Sequence, residues 1–137
     1  MSTAVAPPRS ETASRVLLGG LSALAVYHLA LGAFMAIAPH AFFKSLGPFY
    51  SFNSHYIRDL ATYNLALGAG LALAVRNPGW RVPLLAVTTI QFALHSANHL
   101  LDIDRTHPAW TGYFDFASLA LATLLIGALL ALAGMRR

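Results

Sequence analysis

Long apolar runs alternate with short polar connections along this chain, and the runs carry polar residues at regular steps. The clearest case is QFALHSANHLLD, residues 91–102. An α-helix turns about 100° per residue. On that turn Thr88, Gln91, His95, Asn98, His99 and Asp102 share one face, within roughly 100° of arc. Phe92, Leu94, Ala97 and Leu101 make up the other face. The pattern predicts a helix with one polar stripe.

Four apolar runs stand out, at 16–38, 57–75, 82–101 and 113–133. Each is close to the roughly 20 residues that cross a bilayer core as a helix. The first has no formal charge, and the second opens with Arg58 and Asp59. Pro83 stands in the first turn of the third, where proline is tolerated. The fourth carries only Asp115, near its start. A soluble bundle needs polar outer faces, and LALATLLIGALLALAG (119–134) offers none. The expected fold is therefore all-α: an integral membrane four-helix bundle, one domain over residues 15–137. Residues 1–14 are rich in Ser, Thr, Ala and Pro and read as a disordered tail. Ala36-Ile37-Ala38 resembles a signal-peptide cleavage site, but the run before it is too long and Pro39 follows, so 16–38 is kept as a span.

The connections are short. RNPGWR (76–81) reads as a tight turn, and 102–112 as a loop with Pro108 and Trp110. The stretch 39–56 is longer and holds Phe42, Phe43, Phe49, Tyr50, Phe52 and Tyr56. Aromatics at that density suit the headgroup zone, so part of it is expected on the membrane surface.

Composition strengthens the membrane reading. Hydrophobic residues make up 57% of the 137 and charged residues 10%, against about a quarter charged in soluble chains. The absence of cysteine excludes disulfides, thiolate metal sites and cysteine nucleophiles. The basic residues lie near the ends of the runs and read as topology signals, not as a nucleic-acid surface. Arg9, Arg15, Arg76, Arg81, Arg136 and Arg137 fall on one side, and Lys44, Arg58 and Arg105 on the other. The positive-inside rule then puts both termini in the cytoplasm of a multi-pass cell-membrane protein. His40, His55, His95, His99, His107 and Asp59, Asp102, Asp104 and Asp115 fall toward the outer side.

The second run repeats the stripe: His55, Asp59 and Tyr63 follow at steps of four, with Thr62 beside them. The first adds His28 near mid-depth. Ionisable groups in a membrane segment cost several kcal/mol facing lipid, so these are expected to face inward and form an outward-open chamber. One reading is a packing network of hydrogen bonds between helices. The other is a metal or cofactor site. His95 and His99 can reach one ion from one helix turn, with Asp102 one turn on, His55 and Asp59 across the bundle, and Asp115 from the last run. Nitrogen and oxygen ligands suit zinc, iron or copper, and haem is a variant. His28, Tyr63, Asn64, Gln91 and Asn98 are the candidates for holding a cofactor. No zincin HExxH motif is present.

YHLALGA (27–33) and YNLALGA (63–69) differ at one position and fall in spans of opposite direction. Gly32 and Gly68 then allow close helix contact. Alternatively, His28 and Asn64 mark a partial inverted repeat around a mid-membrane site.

Total length, four spans, and HYIRDLATYNLALGAGLALA (55–74) followed by a short Arg/Pro/Gly turn give a layout that resembles the small four-span proteins of the broad DoxX-like group. Some of those are linked to membrane oxidoreductase or quinone-reducing complexes. The resemblance implies a four-span membrane fold and a redox-linked role. It assigns no residue. The leading expectation is a redox-linked membrane protein binding a metal, haem or quinone at the chamber. Alternatives are a small-solute or proton-coupled carrier, a membrane enzyme acting on a lipid-soluble substrate, and a structural subunit of a larger membrane complex. Expected partners are the bilayer, a quinone or small lipophilic ligand, and a second copy in a homodimer, with no nucleic acid. No nucleophile elbow or phosphate loop supports a hydrolase or ATPase.

Overall fold

A computed structural model describes residues 9–47, 51–106 and 108–135. Over these the chain is all-α. The five helices are α1 (Arg9–Ile37), α2 (Pro39–Ser45), α3 (Ser54–Arg76), α4 (Arg81–Leu101) and α5 (Trp110–Gly134), with 3-10 turns at Pro78–Trp80 and Ile103–Arg105.

Local chemistry sets most of the boundaries. α1 takes in residues 9–14, which the sequence pattern assigns to a tail. Glu11 in its first turn complements the helix dipole and pairs with Arg15 one turn on. Residues 1–8 of that tail lie outside the described residues. α2 was expected only as an aromatic surface stretch; Pro39, pre-set for a first helical position, starts it. Asn53 caps α3, its side chain accepting from the backbone N–H of His55 (3.0 Å) and Tyr56 (3.3 Å). α3 ends on a clamp from the next helix. Arg81 donates through Nε to the Ala74 carbonyl (3.1 Å) and through Nη2 to that of Val75 (3.2 Å).

The long helices run alternately up and down, and their seams are unequal. α1 packs densely along α3, and α4 along α5, whereas α3 meets α4 and α1 meets α5 far more sparsely. The α1–α3 seam is built on the near-repeat. Ala25, His28, Gly32 and Met35 are buried on α1, and Ala61, Asn64, Gly68 and Leu71 are buried on α3. The two sets are equivalent at the 36-residue offset of the near-repeat, and its members His28 and Asn64 bond to each other. The contacts are reciprocal. A Cβ on Gly32 would lie 2.8 Å from Leu65 Cγ and 3.0 Å from the Ala61 carbonyl oxygen. A Cβ on Gly68 would lie 2.8 Å from Leu29 Cγ and 2.9 Å from the Leu29 nitrogen. Each glycine thus packs on the backbone of the other helix, Gly32 on Ala61 and Leu65 and Gly68 on Leu29, which brings α1 and α3 close.

The α4–α5 seam is closed by Ser96 and Thr123, whose hydroxyls are 3.3 Å apart. Leu17, Leu21, Ala25, Leu67, Leu71, Leu85, Phe92 and Ile126 belong to one apolar core. Much apolar surface stays outside it: Val16, Val26, Leu121, Leu124 and Leu125 are exposed.

Of the four expected spans, two helices are long and apolar enough to cross a membrane, over Glu11–Ile37 and Trp110–Gly134. α3 and α4 have the length, but their polar residues dilute the apolar run.

Candidate functional site

α4 does not turn its polar stripe to the bundle axis as expected. Its buried residues are Leu85, Thr88, Phe92 and Ser96. Thr88 alone of the stripe is among them. Its hydroxyl donates to the Leu84 carbonyl (2.7 Å), which satisfies it within the helix. The axis side is taken by Phe92, which stands edge-on to His28 with ring centroids 5.9 Å apart. Gln91, His95 and Asn98 are thereby rotated sideways. They line a groove of about 520 Å³ between α4 and α3. Tyr63 of α3 supplies the facing wall, and Val87, Ile90 and Leu94 supply the apolar part.

Gln91 lines that groove, and its amide oxygen is buried without accessible surface and has no hydrogen-bond partner. Such a group costs about 1–3 kcal/mol. His95 and His99, one turn apart, bring their Nε2 atoms within 3.1 Å. One ring must donate and the other accept, so the pair holds a proton between them in its neutral form. Asp115 of α5 lies within electrostatic reach of His95. The groove thus combines an apolar wall with an imidazole pair that shares a proton beside it.

The other expected residues go elsewhere. His55 and Asp59 pair with each other at 3.4 Å, with side chains 80% and 62% exposed, at the start of α3. Asp102 pairs with Arg105 at 3.2 Å. The expected single cluster is thus divided into separate pairs. Among the described residues no group of three or more His, Cys, Asp or Glu side chains is arranged to hold a metal ion. Structural zinc takes four ligands and catalytic zinc three from the protein, so neither pair alone makes such a site. His107 lies outside the described residues.

His28 and Asn64 are brought together, but neither lines the groove. His28 is 2% exposed, and its Nδ1 lies 2.9 Å from Asn64 Oδ1. Tyr27 stands edge-on beside it, at 5.1 Å between centroids. A second cleft, about 460 Å³, lies between α1 and α5 and is lined by Gly20, Leu24, Tyr27, Phe92, Leu119 and Ile126 among others.

Sequence reasoning missed Val87, Ile90 and Leu94 as lining residues and Ser96–Thr123 as a link. The apolar three give no signal in a segment read as lipid-covered. Ser96 follows His95 directly, and its place on the buried side was available from the 100° turn.

Comparison with family models, with curated proteins and with solved structures finds no match.

Proposed function

We propose that this chain is a four-span membrane protein whose α3–α4 groove binds a lipid-soluble small molecule with a polar ring head, of the quinone class, and exchanges protons with it at His95 and His99. The observation that carries the reading is the lining of the groove. Tyr63, Gln91, His95 and Asn98 share it with Val87, Ile90 and Leu94, a few polar groups set in a mostly apolar wall. Ligand sites combine a mostly apolar wall with a few converging polar groups in this way.

Several features support the membrane part. Arg15, Arg76 and Arg81 belong to one end of the up-and-down set, and Lys44, Arg58 and Arg105 to the other. Trp110, Phe114, Phe42, Phe43 and Phe52 gather at the second end, as an interfacial aromatic belt does. The polar groups of α3 and α4 turn to α1, to the groove or to the ends, which lets both helices span although they are less apolar than α1 and α5. The likeness to the DoxX-like layout points to the same arrangement, and no matching family model stands behind it.

Two measurements test this. The chain has no native cysteine, so Lys44→Cys and Gly79→Cys are clean reporters for an impermeant thiol reagent on intact cells. Labelling is expected at position 44 and not at 79; the reverse, or neither position protected by the membrane, overturns the topology. A quinone analogue bearing a diazirine should crosslink to Val87, Ile90 or Leu94, less so in Tyr63→Phe and Gln91→Leu. Label spread evenly over α1 and α5 would remove the groove as a site.

A further inference from the structure

The dense and sparse seams follow the order of the chain. α1, α2 and α3 belong to its first half, α4 and α5 to its second, and the Pro78–Trp80 turn links the two. The dense seams, α1 with α3 and α4 with α5, each lie inside one half, and the sparse seams lie between the halves. The polar ties divide in the same way, His28 with Asn64 in the first half and Ser96 with Thr123 in the second. At the end far from the turn, α2 packs on α1 and α3, and the Ile103–Arg105 turn packs on α5. Both far-end elements therefore sit on their own half, and each half is a packed unit.

Near the Pro78–Trp80 turn the halves touch. Arg81 holds the carbonyls of Ala74 and Val75 at the end of α3. A Cβ on Gly70 would lie 3.2 Å from Leu84 Cδ2, and one on Gly20 would lie 2.5 Å from Leu129 Cδ1. Midway, Phe92 of the second half meets the rings of Tyr27 and His28 of the first, with centroids 6.4 and 5.9 Å apart. These are ring contacts, with no hydrogen bond to break. Toward the far end the halves part around the α3–α4 groove, with Tyr63 on one wall and Gln91, His95 and Asn98 on the other. The seam is a wedge, shut at the turn. A sparse interface between two packed units leaves relative motion as the default, and a few loop residues suffice as a hinge.

We propose that the two halves rock as rigid bodies about the Pro78–Trp80 turn, opening the α3–α4 groove at its far end to admit the ligand and closing on it. This rests on the groove reading above for what enters. A ligand in the closed groove touches both walls, and in the open groove only one. It therefore binds the closed state better, and that difference is what shifts the population. α4 is a lever of roughly 30 Å. A rotation of about 15° at the turn, the size of a rigid-body subunit switch, moves its far end by about 8 Å. The His28–Asn64 and Ser96–Thr123 ties stay made throughout, so the groove opens without unpacking either half.

The test puts pairs of nitroxide labels on the full chain in detergent micelles and measures their separations by pulsed electron resonance. Ile37, Tyr56, Leu101 and Trp110 are exposed at the far end, and no native cysteine competes for the label. Ile37→Cys/Tyr56→Cys and Leu101→Cys/Trp110→Cys each report within one half. Tyr56→Cys/Leu101→Cys and Ile37→Cys/Trp110→Cys report across the two. Within a half, one narrow distance is expected. Across the halves the distances should spread over about 8 Å, then shorten and narrow when a decyl-tailed benzoquinone is added. Equilibrium dialysis counts the bound quinone, with Gln91→Leu as the groove control. Across-half distances as narrow as those within a half overturn the inference, and so does an equal spread in all four pairs. A spread that bound quinone leaves unchanged also overturns it, with the groove reading intact. If the wild type binds no quinone, or Gln91→Leu binds it equally, the groove reading falls and the gating role falls with it.

Discussion

The two loose seams of the molecule hold clefts of similar size and opposite lining. The α3–α4 groove, about 520 Å³, offers Tyr63, Gln91, His95 and Asn98. The α1–α5 cleft, about 460 Å³, is walled by leucine, alanine, isoleucine, Gly20 and Phe92, with Tyr27 and Ser118 its only polar lining residues. In the proposed membrane setting the second would be filled by acyl chains at little cost, since they are as apolar as its walls. The first would not, because polar groups facing lipid are expensive. Size alone does not mark a site here. The unmet polar groups do, and the contrast can be tested one seam at a time.

The largest effect should come from the seam that is tight. Both clefts depend on α1 and α3 being held together, and Gly68 leaves no room for a side chain. Gly68→Val is expected to cost about 2 kcal/mol or more, as overpacking does. Gly19 has nothing within 4 Å of its Cβ position, and Gly19→Ala should gain up to about 1 kcal/mol from helix propensity. Melting in detergent measures both. If Gly68→Val melts with the wild type, the reciprocal glycine contact is not what joins the helices.

The next effect separates the clefts themselves. Gln91→Leu should lower binding of the ring probe roughly tenfold, a loss of about 1.4 kcal/mol. The same change should raise the melting temperature of the ligand-free protein, because a buried unpaired oxygen is removed. Ala122→Leu, which fills the α1–α5 cleft, should leave probe binding unchanged. Loss of binding in Ala122→Leu with none in Gln91→Leu would exchange the roles of the two seams.

Why sequence reasoning placed His28 and Asn64 inside but turned the α4 stripe the wrong way has a physical answer. In water an apolar face marks what is buried. Where the surroundings are apolar as well, that signal fades, and small residues decide which faces approach. The YHLALGA and YNLALGA segments held that information. Gly32 and Gly68 were legible as contact points, and they carry the α1–α3 seam. The α4 stripe was legible as one face. That Phe92 and Ser96, and not His95, take the axis depended on which neighbours α4 meets. Three of the four helices were read within a few residues; α1 begins at Arg9, inside the expected tail, the Asn53 cap drew α3 back to Ser54, and Pro39 started a short helix inside an expected loop.

A smaller effect belongs to the second tight seam. Ser96→Ala removes the hydroxyl that faces Thr123, and hydrogen bonds between helices in membrane proteins average about 0.6 kcal/mol. Each hydroxyl carries one proton, and Ser96 Oγ lies 2.8 Å from the Phe92 carbonyl and Thr123 Oγ1 2.8 Å from the Leu119 carbonyl, so at most one of them donates across the seam and part of the loss is local. The double variant Ser96→Ala/Thr123→Ala should cost little more than either single change, because the two share one contact. Additive losses would mean that the hydroxyls act separately and that apolar packing alone closes α4 on α5.

The smallest expected effect is none at all, and it bears on what the groove is for. His95 and His99 are close enough to share an ion, and zinc, iron or copper would accept their nitrogens. Two imidazoles leave a zinc ion short of protein ligands. The carboxylates that might complete the set are engaged or apart: Asp102 with Arg105, and Asp59 with His55 at the exposed start of α3. A bound metal that favours the folded state would raise the melting temperature, and a chelator would take that gain away. The wild-type melting curve is therefore expected to be the same with and without chelator, and His95→Ala should not change that. A chelator that lowers the wild-type curve by several degrees, and leaves His95→Ala where it is, would mean that α4 and α5 close around an ion through Asp115. The polar groove would then be a metal centre first, and its contrast with the apolar cleft would rest on coordination in place of ligand binding.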